Sequence, residues 1–161
     1  MENSTSNIIK LKSSDGEIFE IKEKCFLRSN YYKIIKDISN PNEEIPLKEV
    51  DSKALVKIIE YLNHYENEDP KEIPKPMPSP DLKQFLSEWD YNYIILPSIQ
   101  EIVNLINAAN YLNIKELVNL CSARLASEIT NCPIEEAREK FGIVADMTQE
   151  EWDEMNKYPL E

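Results

Sequence analysis

PSIQEIVNLINAANYLNIKELVNLCSARLASEI, residues 97–129, reads as two helices broken by a tight turn. In the first, Ile99, Ile102, Val103, Ile106 and Ala109 recur at helical spacing, while Leu105, Ala108 and Leu112 lie on a second side. A helix that is apolar on two sides has to be buried on two sides. In the second, Ile114, Leu117, Val118, Cys121, Leu125 and Ile129 form one stripe, with Lys115, Glu116, Asn119, Ser122 and Glu128 off it. Pro97 and Ser98, with Glu101 three residues after Ser98, spell a helix start with a capping box. The turn at residues 111–113 is too short to join anything but adjacent helices. The spacing therefore predicts a helical hairpin that serves as a core element and keeps one face for something else.

Upstream of this hairpin the periodicity changes. Residues 8–12 and 17–21 alternate around SSDG at 13–16, and Asp-Gly between two alternating runs predicts a β-hairpin. Residues 24–38 follow as short helical segments with Tyr31, Ile34, Ile35 and Ile38 on an apolar face, closed by Asn40-Pro41-Asn42. Residues 45–47 form a third short strand, and Asp51-Ser52 opens a helix over 53–64 with Leu55, Ile58, Ile59 and Leu62 as its stripe. Residues 66–80 hold five of the ten prolines among charges, the composition of a solvated loop or a partly extended linker. Helical character resumes over 81–93 with Leu82, Phe85, Leu86 and Trp89.

Downstream, Pro133 with Glu135 and Glu136 opens a helix that Gly142 stops after Phe141, with the acids at the positive end of its dipole. Thr148 and Glu151 form a capping box before a last short helix carrying Trp152 and Met155. Strands come first and helices afterwards, so the fold class is α+β with the sheet at the N-terminal end. Residues 1–7 are polar and expected to be disordered. The last two helices are short and acidic, with Phe141, Ile143, Met147, Trp152 and Met155 spread thinly along them. Helices of about ten residues are marginal alone in water. They must dock on the second hairpin helix or on a partner, and an apolar set rimmed by acids has the composition of a protein-binding surface.

A net charge of −12 argues against nucleic acid or an anionic membrane as partner, because both reward basic patches. Nine acids and three basic residues fall within 133–161, so half the net charge sits in the last 29 residues. That run is either a solvated helix face or an acidic rim around a contact surface. Cys25, Cys121 and Cys132 show no paired spacing, and no apolar run approaches a membrane span or a signal peptide. A reducing, soluble compartment, cytoplasmic and nuclear, is expected. His64 is the only histidine, so no metal or other cofactor is expected, and the residues read as small core thiols and a surface imidazole rather than a Cys–His catalytic pair. Two glycines leave no phosphate-cradling loop, dinucleotide fingerprint or nucleophile elbow. The chain is not expected to be an enzyme.

Three separated blocks, IKLKSSDGEIFEI at 9–21, AANYLNIKEL at 108–117 and PIEEAREKFGI at 133–143, resemble the S-phase kinase-associated protein family in the same order. That family supplies the adaptors of SCF ubiquitin ligases. The resemblance implies a BTB/POZ-type domain over 8–129, interrupted by the proline-rich loop at 66–80 and extended by a two-helix segment over 130–161. It implies a non-catalytic adaptor that holds a cullin N-terminal domain on one surface and the F-box of a substrate receptor on another. A BTB-like scaffold that self-associates without a ligase is the alternative, and homodimerisation of the free chain stays open.

Carried over by position, Asn110 and Tyr111 match the family's cullin-contacting pair, although Tyr111 as a core ring and Asn110 as a helix-end cap remain the plain structural alternative. Ile102, Ile106, Val118, Leu125 and Ile129 match F-box-contacting positions on the outward face of the hairpin, joined by Phe141 and Ile143. Taken singly each of these is more often core than contact; as a set they form a groove. The sequence ends in Tyr158-Pro159-Leu160-Glu161 where the family has a longer helix with a tryptophan and a cysteine, so Trp152 is expected to take over the clasp. Gln149 stands where some members carry a proline that is hydroxylated. One extra residue between Trp89 and Ala108 leaves Tyr91 and Tyr93 without assigned roles.

Overall fold

Strands Ile8–Lys12 (β1) and Ile18–Lys22 (β2) pair antiparallel, with Leu11 opposite Phe19 and Ile9 opposite Ile21. The computed structural model describes residues 7–38, 40, 43–95, 97–130, 132–144, 148–155 and 157. The expected disorder at the N-terminus thus lies, except for Asn7, outside the described residues. The Asp-Gly signal marks a real turn. Gly16 has φ +90°, a conformation costly for any residue with a Cβ, and the Ser13 and Glu17 backbones close the loop at 2.9 Å. Asp15 then reaches across to the start of the next long helix. Its carboxylate accepts from the Ser52 N–H at 2.9 Å and the Ser52 hydroxyl at 2.5 Å. Hydrogen bonds from Ser13 and Ser52 lower the Asp15 pKa to about 2.

Ile45–Pro46 (β3) adds to the other side of β1 in parallel, giving the sheet order β2-β1-β3. Two short helices, Glu23–Phe26 (α1) and Asn30–Ile35 (α2), lie between the hairpin and β3. The long helix Ser52–His64 (α3) starts where Asp51 accepts from the Ala54 N–H at 2.8 Å, and it buries Leu55, Ile58, Tyr61 and Leu62. A 3-10 turn at Leu82–Gln84 leads into Glu88–Ile95 (α4). Asp90 is buried there, and its two oxygens accept from the Tyr65 and Ser87 hydroxyls at 2.7 Å each. A buried carboxylate with both oxygens satisfied is tolerable without a cation beside it.

Ile99–Tyr111 (α5) and Lys115–Ile129 (α6) form the predicted hairpin, and the Ser98–Glu101 capping box is present. Ile134–Phe141 (α7) and Gln149–Met155 (α8) complete the described helices. Gly142 ends α7 in the left-handed conformation, and the Ile143 N–H returns to the Arg138 carbonyl at 2.9 Å. Thr148 and Glu151 exchange the capping-box bonds expected at the start of α8. One core runs from Ile9, Leu11 and Ile21 of the sheet through α3 to Ile102, Leu105, Ala109 and Leu117 of the hairpin.

The proline-rich segment departs from the expectation of a solvated loop. It has no regular secondary structure, but it is docked. Ile73 and Met77 pack against the core, and the Lys75 ammonium donates to the Asn119 side chain at 2.8 Å. Arg28 gathers its start, donating to the Tyr65 carbonyl at 3.0 Å and pairing with Asp69 at 3.0 Å. Two half-buried apolar anchors, with polar ties from Lys22, Lys24 and Arg28 at its start and from Lys75 further on, hold an otherwise water-soluble sequence against the body.

Candidate functional site

The turn between α5 and α6 organises the first candidate surface. Asn113 takes φ +52°, a conformation asparagine tolerates better than other side-chain-bearing residues, and the Ile114 N–H closes the turn on the Ala109 carbonyl at 2.9 Å. The start of α2 docks on the carbonyls left over. The Ser29 hydroxyl donates to the Leu112 carbonyl at 2.7 Å, and the Asn30 and Tyr31 N–H groups reach Asn113 and Leu112 at 3.4 and 3.3 Å. The free donors of one helix end thus satisfy the free acceptors of another. This docking lays the Tyr31 ring against Tyr111 with centroids 5.2 Å apart. Burial, with a hydrogen bond that the Tyr31 hydroxyl gives to Tyr111, pushes the Tyr31 phenol up to about 12. Tyr111 is half-buried and Asn110 exposed, so the ring is anchored but not enclosed.

The apolar face expected from Tyr31, Ile34, Ile35 and Ile38 is not the one that enters the core. Tyr32 goes in instead, packing on Phe26 with centroids 5.1 Å apart and donating its hydroxyl to Glu23 at 3.1 Å. Ile34 and Ile38 are left 72% and 82% exposed. A groove of about 350 Å³ runs between Tyr31, Ile35 and Ile38 on one side and Ile45 and Pro46 on the other. Asn110, Tyr111, Tyr31, Ile34 and Ile38 therefore belong to one exposed neighbourhood built on the docking of α2 to the end of α5. Sequence reasoning found the first two. The signal for the others was an apolar set wider than a six-residue helix with one buried side can bury.

The second candidate surface lies along the hairpin and α7. Ile102, expected on the outward face, is fully buried instead. It shares the inward side of α5 with Leu105, Ala109 and Leu112, because α5 is wedged between α3 and α6. The outward line is Ile99, Val103 and Ile106, all half-buried. The single stripe expected on α6 also splits. Leu117, Leu120 and Cys121 point into the core, while Val118, Leu125 and Ile129 follow a second, partly exposed line at i, i+7 and i+11. α7 packs on α5 yet buries no residue fully. Phe141 is half-buried, whereas Ile129, Ile134, Ile143 and Val144 are 50%, 56%, 59% and 86% exposed. Of the residues expected here, Ile106, Val118, Leu125 and Phe141 are half-buried, Ile129 and Ile143 are exposed, and Ile102 is core. The side chain of Trp152, like Met147, lies outside the described residues.

Charged groups secure the seam between α6 and α7. Glu128 pairs with Arg124 on its own helix and with Lys140 of α7 at 3.4 Å, and Lys140 also reaches Glu136 at 3.2 Å. The Arg124 partner, then Lys140, lowers the Glu128 pKa against the opposing effect of burial. Arg124 itself is buried, and its Nε has no partner among the described residues. Its importance was missed, though its position on the inward line of α6, three residues after Cys121 and seven after Leu117, was readable.

Cys25 and Cys121 are buried free thiols and Cys132 is half-buried. Burial pushes the Cys121 thiol up to about 12 and raises that of Cys25, so both favour the unreactive protonated form. His64 is exposed and stacks on Trp89 with centroids 3.6 Å apart. Among the described residues no helix is long and apolar enough to cross a membrane.

With two partly exposed apolar surfaces on an α+β frame described, comparison with known proteins supplies the family. The model of the Skp1 family tetramerisation domain matches residues 7–67, and that of the Skp1 family dimerisation domain matches 115–158. The S-phase kinase-associated protein 1 homolog of Tetrahymena thermophila is 34% identical over 146 residues, covering 91% of this chain and 88% of its own length. The chain belongs to the Skp1 family. SKP1-like protein 18 of Arabidopsis thaliana is 37% identical over 156 residues, covering 95% and 94% of the two chains. A protein of Arthroderma benhamiae named E3 ubiquitin ligase complex SCF subunit sconC is 30% identical over 158 residues, covering 98% and 96%. The Skp1-family N-terminal domain is of the POZ type, and the three-stranded sheet with its helices is this chain's version of it.

Proposed function

We propose that this chain is the non-catalytic adaptor subunit of an SCF-type ubiquitin ligase, bridging a cullin scaffold to F-box substrate receptors. The observation that carries the reading is the presence of two separate exposed apolar faces on one frame, in a chain of the Skp1 family. One is built from α2 and the end of α5 around Tyr31, Ile34, Ile38, Asn110 and Tyr111. The other is built from α5, α6 and α7 around Ile106, Leu125, Ile129, Phe141 and Ile143. Exposed apolar groups of this size are costly unless a partner covers them.

On this reading the first face takes the cullin N-terminal domain, with Tyr111 as an aromatic anchor already held in place by Tyr31. The second takes the F-box, with Val118 at its far end and Trp152 closing it. The adaptor performs no bond chemistry. It fixes the receptor, and the substrate on it, near the ubiquitin-loaded enzyme at the other end of the cullin. Three free cysteines accord with work in the reducing cytoplasm and nucleus.

Size-exclusion chromatography of the chain mixed with a cullin N-terminal domain and an F-box segment tests the proposal. A co-eluting ternary complex is expected. A folded chain that binds neither partner and elutes as a dimer would replace the adaptor reading with that of a self-associating scaffold.

A further inference from the structure

The docked proline-rich segment carries one hydroxyl, Ser79, set between the exposed prolines Pro78 and Pro80. Ser79-Pro80 is the only Ser-Pro or Thr-Pro step in the chain. A proline removes the next backbone N–H and holds the residue before it in an extended conformation. The stretch 71–80 accordingly contains no helix or strand. The other hydroxyls of the described residues lie in helices, at helix ends or between β1 and β2, where the backbone is committed to a helix, a cap or a tight turn. Among the described residues Ser79 alone therefore presents its hydroxyl on irregular, extended chain, the form in which a kinase cleft takes its substrate. Its oxygen accepts from the Asp81 N–H at 3.1 Å, and Asp81 in turn caps the following 3-10 turn by accepting from the Lys83 N–H at 3.2 Å. Apolar anchors sit on both sides, half-buried Met77 before it and buried Leu82 after it.

We propose that Ser79 is a phosphorylation site for a proline-directed serine/threonine kinase, and that its phosphate releases the segment from the body. The Ser79 Oγ forms a bond to the γ-phosphorus of ATP as the bond from that phosphorus to the bridging oxygen breaks. ADP leaves with the electron pair, and the hydroxyl proton passes to the kinase's base. The product bears a charge of about −1.5 to −2 at neutral pH, two residues from the Asp81 carboxylate. The like charges repel, the tie between Ser79 and Asp81 is lost, and Met77 loses its seat. Lys75 then leaves Asn119, and Ile73 moves away from the cavity of about 300 Å³ that it lines with Tyr61, Leu86, Asp90, Asn119 and Leu120. The Arg28–Asp69 pair at the start of the segment is untouched, so the opening is confined to the part that follows it.

Incubating the full chain with ATP, magnesium and a purified proline-directed kinase tests this, read by peptide mass mapping and amide exchange. Phosphate on Ser79 is expected. Ser79→Ala should take up none over 71–80, and Pro80→Ala, which keeps the hydroxyl, should be modified several-fold more slowly. In the phosphorylated chain the amides of 71–79 should exchange several-fold faster than in the unmodified one, while those of α3 keep their rates. Phosphatase treatment should restore the slower exchange. An unmodified Ser79, whether the kinase acts elsewhere on the chain or nowhere, would overturn the site. Phosphate on Ser79 with unchanged exchange over 71–79 would overturn the release.

Discussion

The α5–α6 hairpin and α7 are written in similar residues but end in different physical states. Both carry apolar residues at helical spacing with glutamates between them, isoleucines among them in α5 and Ile134, Ala137 and Phe141 in α7. The hairpin buries Ile102, Leu105, Ala109, Leu112, Leu117 and Cys121 almost completely, because α3 gives α5 a surface to press against. α7 has α5 on one side and the Glu128–Lys140 tie at its seam, and it buries nothing fully. A helix in the first situation is part of the frame. One in the second has spare apolar surface and too few contacts, and a partner completes both.

The sharpest way to separate the two regions is to remove a methyl-rich side chain from each. Ile102→Ala should destabilise the fold by about 2–5 kcal/mol, the cost of a core cavity, and should lower the unfolding midpoint visibly. Ile143→Ala should change stability by less than about 0.5 kcal/mol. Its effect should instead appear as weaker F-box binding in calorimetry. The opposite pattern would invert the assignment of frame and binding face.

Next in size is the cullin face. Replacing Asn110 and Tyr111 together by Lys should cost about 2 kcal/mol or more of cullin affinity, roughly thirty-fold, while leaving F-box binding intact. Pull-down with each partner separately reads both halves of that statement. Loss of both partners at once would mean that the frame, not one face, had been damaged.

A smaller effect is expected at the seam. Glu128→Gln removes the group shared by Arg124 and Lys140 and should speed amide exchange in α7 while leaving that of α5 unchanged. The smallest concerns the body. Asp15 is held below its ordinary pKa of 3.8, to about 2, by its hydrogen bonds to Ser13 and Ser52. A carboxylate whose folded pKa is lowered adds stability that is complete above the unfolded value and is lost as pH falls through the folded one. Denaturant midpoints should therefore decline between about pH 4 and pH 2, and Asp15→Asn should flatten that decline.

Much of this frame was readable because its signals are local. Asp15-Gly16, Asp51, Ser98 with Glu101, Gly142 and Thr148 with Glu151 each satisfy backbone groups within a few residues, so their identity fixes a turn or cap without reference to the rest of the chain. The burial of particular faces was less readable. Ile102 and Ile106 follow the same spacing, and only the position of α3 decides that the first is core and the second half-exposed. Tyr32 displaced the expected isoleucine face because Phe26 and Glu23 receive both its ring and its hydroxyl. Ile73 and Met77 anchor a proline-rich segment whose composition alone reads as solvent-borne. Arg124 carries no local signal of burial, and only its place on the inward line of α6 puts it under the seam.

Amide hydrogen exchange on the free chain and on its complex with an F-box segment tests the contrast most directly. In the free chain the amides of α5 and the first turns of α6 should open only with global unfolding, whereas those of α7 should exchange through local opening far faster. Adding the F-box segment should slow α7 at least about ten-fold, by the linkage of binding to local order, and adding a cullin N-terminal domain should not. Equal protection of α5 and α7 in the free chain, unchanged on binding, would contradict the division into a finished frame and a face that a partner completes.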